Sequence, residues 1–417
     1  MNPLERTLEQ RVEALGVPLA VVLPGGQRLG HAQPTVTIRL NELSPLMHIA
    51  GGQVGRVAQD YVEGRLDFDG SVRDLMAIAA QLIDDDPTKS EASGAPLAWW
   101  RNITRAARSR ARHSTESDAQ QIQFHYDVSD DFYALWLDPR KVYSCAYFRE
   151  GSLSLAKAQE AKLDHICRKL MLREGERFLD IGAGWGGLLM WAAQHYGVRA
   201  HGITLSKNQH AHVNQLIERC GLRGRITMEL RDYRELPEDE PFDKIASVGM
   251  FEHVGHVQLP AYFDKIRRLL KPGGLLMNHG ITAGSTQHDQ LGAGMGDFIE
   301  RYIFPGGELL HVSHVLKVMS EAQLEPVDAE NLRPHYARTL WAWSGALESQ
   351  LDKARELTGE SVVRAYRLYL AGCAMCFEQG WISLFQMLAA RPDGDPSRGP
   401  MRGAQSGFPF NREYMYR

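Results

Sequence analysis

The chain has 417 residues, room for two or three domains, and its 44% hydrophobic and 24% charged content is that of a globular protein. A formal charge of −4 supplies no general basic field for nucleic acid, and no apolar run reaches the roughly 18 residues that a membrane span needs. The start, MNPLERTLEQRVEALG, lacks the basic and apolar stretches of a secretory signal, so the expectation is a cytoplasmic protein.

Residues 1–86 alternate short strand-like runs (LAVVL, TVTIRL) with helix-like ones (VGRVAQDYVEG, VRDLMAIAAQLID) and read as a small α+β accessory domain without a catalytic cluster. Residues 87–121 read as a linker, opened by turn formers and continued by WWRNITRAARSRARH. If that segment is helical, Arg101, Arg105, Arg108 and Arg112 share one face beside Trp99 and Trp100. Such a face suits the headgroup layer of an anionic membrane, or is a solvated linker helix. Residues 122–390 form the large domain. Strand candidates fall at 177–181, 199–204, 226–230, 242–248 and 274–279, mostly separated by helical patterns. That alternation predicts an α/β fold with a doubly wound parallel sheet. Residues 291–345 are expected to complete the sheet and cover the site, 346–390 to be mainly helical, and 391–417, rich in Pro, Gly and Arg, to be a flexible tail. The five cysteines, Cys145, Cys167, Cys220, Cys373 and Cys376, make a poor disulfide framework, and Cys373-x-x-Cys376 lies in a helical apolar pattern that favours core packing over a metal.

The sharpest local signal is RFLDIGAGWGG. An apolar strand ends at Asp180, Gly182, Gly184 and Gly186 follow, and an apolar helix begins. Glycines at such a turn let a ligand lie against the backbone. The spacing differs from the G-x-G-x-x-G of dinucleotide sites, and no phosphate-binding Walker lysine follows. The next strand closes in GITLSKNQ, where Thr204, Ser206 and Gln209 offer neutral groups instead of a ribose-holding acid. After the third strand, LRDYREL places Asp232 to accept from an adenine amino group and Tyr233 to cover its face, unless both are only turn residues. An adenosine across the carboxyl ends of these strands obeys the switch-point rule.

The words QFHYDVSDDFYALWLD, VYSCAYF, AKLDHICRKL, LDIGAGWGG, GITLSKNQ, SVGMFEHVGH, KPGG, NHGIT, YIFPGGELL and HYARTL occur in one order. In them the chain resembles the cyclopropane-fatty-acyl-phospholipid synthase family, which includes the mycolic acid cyclopropane synthases. The likeness runs over about residues 120–390 and more weakly over the N-terminal domain. Ala183 stands where the family usually has cysteine, and NHGIT is a looser match. The resemblance implies a class I (Rossmann-like) S-adenosylmethionine methyltransferase that methylates a cis double bond in a phospholipid acyl chain and closes a cyclopropane ring. It implies a peripheral position on the inner face of the membrane, no nucleic-acid partner and a homodimer. By motif the cofactor-binding residues are Tyr143, Ser144, Asp180, Gly182, Gly184, Thr204, Gln209, Asp232 and Tyr233. Bicarbonate is the implied base, held by Cys145, Glu252, His279, the Ile281 backbone and Tyr336.

The chemistry asks for such a set. An alkene is a weak nucleophile, so a sulfonium methyl must be held in line with it. Methyl transfer leaves a carbocation that water would quench, which demands a dry site, and an aromatic face suits the positive charge. Each residue also has a plainer reading. Cys145 could be a small buried hydrophobe or a covalent nucleophile, Glu252 with His256 half of a metal site, His279 a satisfied core histidine, and Tyr336 a packed aromatic. Phe124, Tyr126, Phe298 and Tyr302 are candidates for an acyl tunnel or ordinary core. A different proton loss from the same cation would give a methyl- or methylene-branched chain. A small-amine N-methyltransferase or a non-catalytic lipid-binding protein are further alternatives, disfavoured by the retention of Cys145, Glu252, His279 and Tyr336 together.

Overall fold

Alternation of buried and solvent-facing residues along Val36–Leu40 marks a strand with one covered face, and the computed structural model builds a small sheet from it. The structure describes residues 16–83, 129–286, 295–303, 308–393 and 411–416, with a few positions before 16 and position 409. Strands β1 (Leu19–Val22), β2 (Arg28–Gly30), β3 (Val36–Leu40) and β4 (Leu66–Asp69) pair in the order β2-β1-β3-β4, with β1 and β3 parallel. Helices α1 (Pro45–Ala50), α2 (Val54–Val62) and α3 (Val72–Leu82) complete this unit. The Ser71 hydroxyl accepts from the Asp74 amide and so fixes where α3 begins. The linker and its arginine face, Phe124 and Tyr126 lie outside the described residues.

The large unit opens with α4 (Asp130–Ala134) and α5 (Leu155–Lys169), then alternates β5 (Arg177–Ile181), α6 (Gly187–Tyr196), β6 (Arg199–Thr204), α7 (Lys207–Arg219), β7 (Ile226–Leu230), β8 (Phe242–Val248), α8 (Leu259–Leu269) and β9 (Leu270–Ala283). After these come α9 (Met295–Tyr302), α10 (Val312–Glu321), β10 (Glu325–Asn331), α11 (Arg333–Glu348), α12 (Leu351–Thr358), α13 (Glu360–Gln379) and β11 (Ile382–Ala390). The seven strands are ordered β10-β11-β9-β8-β5-β6-β7. Strands β5 to β9 run parallel, and β11 enters antiparallel between β9 and β10. The chain leaves β5 toward β6 on one side and returns to β8 on the other. The carboxyl end of β5 is therefore the switch point, where an open α/β sheet has its crevice.

Residues 346–390 are mainly helical, as expected, through α12 and α13, and they end in β11 (Ile382–Ala390), which is buried on both faces except at Phe385. A strand covered on both faces has no polar alternation to betray it. One expectation needs correction: the tail is not flexible over its whole length. Arg391 exchanges backbone hydrogen bonds with the Gly273–Gly274 turn. Residues 411–416 dock on α5, where Met415 is buried and its carbonyl accepts from His165 Nδ1 at 2.9 Å. No helix among the described residues is long and apolar enough to cross a membrane.

Candidate active site

The turn after β5 needs three left-handed glycines at alternate positions, Gly182, Gly184 and Gly186, at φ 76°, 55° and 82°. The backbone of Gly182 and Gly184 floors a cleft with about 1050 Å³ of open space. All nine cofactor candidates line it: Tyr143, Ser144, Asp180, Gly182, Gly184, Thr204, Gln209, Asp232 and Tyr233. Thr204 donates its hydroxyl to Gln209 Oε1 at 2.8 Å, so the Gln209 carboxamide is left with its NH₂ to offer. Asp232 is both a cleft residue and a turn residue. Its carboxylate accepts from the Arg234 amide at 2.9 Å and from the guanidinium at 2.8 and 2.6 Å. The Tyr233 ring is set by Tyr262, 5.1 Å away and nearly perpendicular. Burial pushes the Asp180 carboxyl up to about 7, against the pull of Lys162.

The second set lies around the carboxyl ends of β8 and β9. Glu252 sits in a single 3₁₀ turn, Phe251–His253, just past β8. Its Oε1 accepts from the Ile281 amide at 2.6 Å, while its buried Oε2 has no partner among the described residues. Gly280 makes this approach possible, because a Cβ there would stand 2.3 Å from the Phe251 ring and 2.8 Å from Glu252 Oε1. Burial pushes the Glu252 carboxyl up to about 7, partly offset by the Ile281 amide. His279 points to the other face of β9, that of Leu275 and Met277. It is buried with neither ring nitrogen partnered among the described residues. Burial, with Lys162 and Lys169 adding to it, holds His279 well below its usual range and keeps it neutral.

Cys145 is fully buried, with its thiol 3.2 Å from the Ala146 carbonyl. Burial pushes its pKa up, which disfavours the thiolate that a nucleophile would need. Tyr336, on α11, packs against Phe377 and Trp343 with ring centroids at 4.8 and 6.1 Å. The structure thus joins Glu252 to Ile281 directly, and makes no hydrogen bond from His279 to either. His256, weighed with Glu252 as half of a metal site, pairs through Nδ1 with Glu308 Oε2 at 2.9 Å. The Phe298 and Tyr302 rings lie 5.2 Å apart and tilted by 42° on α9, and the Tyr302 hydroxyl donates to Glu63 of the accessory unit at 3.1 Å, so Tyr302 serves the junction between units.

Three features escaped the sequence. An aromatic wall of Tyr133, Trp136, Tyr143, Trp343 and Tyr366 adjoins the cleft through Tyr143. Gln386, fully buried with no side-chain partner among the described residues, stands beside His279 in the β11–β9 register. Lys162, 2% exposed, lines the cleft from α5. A lysine on the inward face of an amphipathic helix is the signal that could have found it.

A glycine-floored cleft at the switch point, with neutral groups where a dinucleotide site would carry an acid, defines a Rossmann-like S-adenosylmethionine-dependent methyltransferase. Residues 113–387 match the family model of mycolic acid cyclopropane synthetase, and the chain belongs to that family. It is 42% identical to a probable fatty acid methyltransferase of Pseudomonas putida, over 98% of this chain and 99% of that one. It is 40% identical to cyclopropane mycolic acid synthase 1 of Mycobacterium tuberculosis, over 64% of this chain and 94% of that one. A mycolic acid cyclopropane synthase solved with S-adenosylhomocysteine and CTAB superposes with a TM-score of 0.62 at 38% identity, over 65% of this chain and 98% of that one. Coclaurine N-methyltransferase shares the fold at 19% identity, with a TM-score of 0.62 over 82% of this chain and 99% of that one.

Proposed function

We propose that this lipid methyltransferase acts on a cis double bond of a phospholipid acyl chain and closes a cyclopropane ring, with bicarbonate as the base. The carrying observation is the buried Glu252 Oε2, unpartnered among the described residues, one turn beyond a strand whose end borders the cofactor cleft. Bicarbonate has one hydroxyl donor and several acceptor oxygens. Glu252 would accept from the hydroxyl through Oε2, and the Tyr336 hydroxyl and a backbone amide near Cys145 would donate; the Ile281 amide already serves Glu252 Oε1, and His279 lies on the other face of β9. S-adenosylmethionine supplies the sulfonium methyl, and bicarbonate, when bound, supplies the base. The glycine turn and the Thr204–Gln209 pair hold the donor still. The donor, when bound, would give its methyl to one alkene carbon and leave as the neutral thioether S-adenosylhomocysteine; the base would take a proton from that methyl, whose carbon would then close on the other alkene carbon. The aromatic wall excludes water and offers π faces to the cation between those steps.

A relative that matches over 98% of the chain is named a probable fatty acid methyltransferase, which favours a second reading: a methyl- or methylene-branched product from the same first step. Purified protein incubated with S-adenosylmethionine and vesicles of a cis-monounsaturated phospholipid separates the two. Gas chromatography–mass spectrometry of the acyl chains should show a gain of about 14 Da in a product that resists hydrogenation, the mark of a saturated ring. A branched or methylene chain would move the protein to the second reading. Unchanged acyl chains, with cofactor binding demonstrated, would remove both.

A further inference from the structure

The cofactor cleft contains two buried charges of opposite sign that do not satisfy one another. Lys162 is 2% exposed and Asp180 is also 2% exposed, and both line the cleft. Among the described residues no carboxylate lies within ion-pair distance of Lys162 Nζ; its one hydrogen-bond acceptor is the Ser144 hydroxyl, at 2.9 Å. An ammonium has three donors, so two remain. Asp180 Oδ1 has no hydrogen-bond partner among the described residues. A buried charge without a counter-charge is costly, and proteins keep one where a ligand completes the pair. The backbone around the lysine is also prepared. Gln159, one helical turn away on α5, donates to the Ser144 carbonyl at 2.8 Å and the Val142 carbonyl at 3.2 Å. Those bonds hold the Tyr143–Ser144 segment against the helix that carries Lys162.

The ligand that matches two separated opposite charges is a zwitterion, and the cofactor ends in one: an α-amino acid. We propose that Lys162 is the anchor for the carboxylate of the cofactor's amino-acid tail, its ammonium falling to the Asp180 side of the cleft. Held at both charges, the tail cannot swing, and the sulfonium between tail and adenosine takes one position relative to the acceptor. Lys162 is accordingly a positioning residue: it touches the donor's tail and not the methyl. Burial brings its ammonium down to about 8, as expected of a cation waiting for its partner.

The test is a binding cycle by calorimetry in bicarbonate-free buffer, with no turnover. One probe is S-adenosylhomocysteine. The other is its decarboxylated analogue, S-adenosyl-3-thiopropylamine, which keeps adenosine, thioether and ammonium. Wild-type protein should prefer the first by at least ~30-fold, the scale of a desolvated charge pair. In Lys162→Met the preference should fall below about 3-fold, while the analogue's own affinity changes little. If both probes weaken equally, or the preference survives the substitution, the proposal is overturned. If Lys162→Met binds neither probe, Lys162→Gln, which keeps a donor for Ser144, repeats the cycle under the same criterion.

Discussion

A carboxyl buried as completely as that of Glu252 is held protonated by its surroundings until about pH 7, above its ordinary value of 4.5. Two consequences carry opposite signs. The ionised form is the one that can accept from a bound hydroxyl, so kcat/KM should rise with pH up to about 7 and level above it. Glu252→Gln should lose at least ~100-fold in turnover, while S-adenosylhomocysteine affinity stays within about 3-fold. Because the folded value is the raised one, the stability that Glu252 contributes is full below about pH 4.5 and lost as pH rises through 7. Glu252→Gln should thus be more stable than wild type at pH 8, by about 3 kcal/mol in urea unfolding. A variant less stable at pH 8 would show that the carboxylate is held by partners and does not wait for one. The motif around Glu252 was legible because FEHVG and NHGIT carry the residues that meet there. Lys162 and Gln386 were not. Their meaning depends on Ser144, Asp180 and His279, which the sheet brings near from far along the chain.

Elements were readable where their period was clean. Strands β5 to β8 and the helices between them follow from apolar runs broken by turn formers. The glycine turn was readable because only glycine tolerates three left-handed positions in five residues. ISLFQMLAA was not, since a run covered on both faces suits a buried helix as well as a strand. The C-terminal residues misled for another reason: composition assigns a whole tail at once, while docking depends on single side chains. Met415 is 1% exposed and packs in the core between α5, α6 and the sheet. Met415→Ala should cost about 2–3 kcal/mol, measured by urea unfolding. A tail that merely trailed in solvent would leave stability within ~0.5 kcal/mol. Such a null result would mean that the docked turn contributes nothing to α5.

Across the whole molecule, the accessory sheet and the large unit share one apolar core. The cluster that includes Leu19, Ile38 and Met76 continues through Trp343, Tyr369 and Phe377. Arg364 of α13 ties the two together with polar bonds: it pairs with Asp67 at 2.6 Å and donates to the Tyr61 and Leu66 carbonyls at 2.9 and 3.3 Å. Arg364 is 15% exposed and Asp67 35%, so the ion pair is partly screened and worth less than a buried one. Arg364→Ala should therefore cost only about 1–2 kcal/mol overall, yet fall mainly on the junction, since the one other bond it loses among the described residues is to Glu360 on its own helix. A shared core predicts that wild-type protein melts in a single calorimetric transition, with amides of β1 and β5 exchanging at the same free energy. Removing Arg364 weakens the junction against the two cores it joins. Exchange in β1 and β3 should then accelerate ahead of β5 and β8, because the accessory sheet can open alone. Equal acceleration in both sheets would mean that the apolar contacts suffice to couple them. Unequal exchange already present in the wild type would mean that the accessory sheet opens independently despite the shared core.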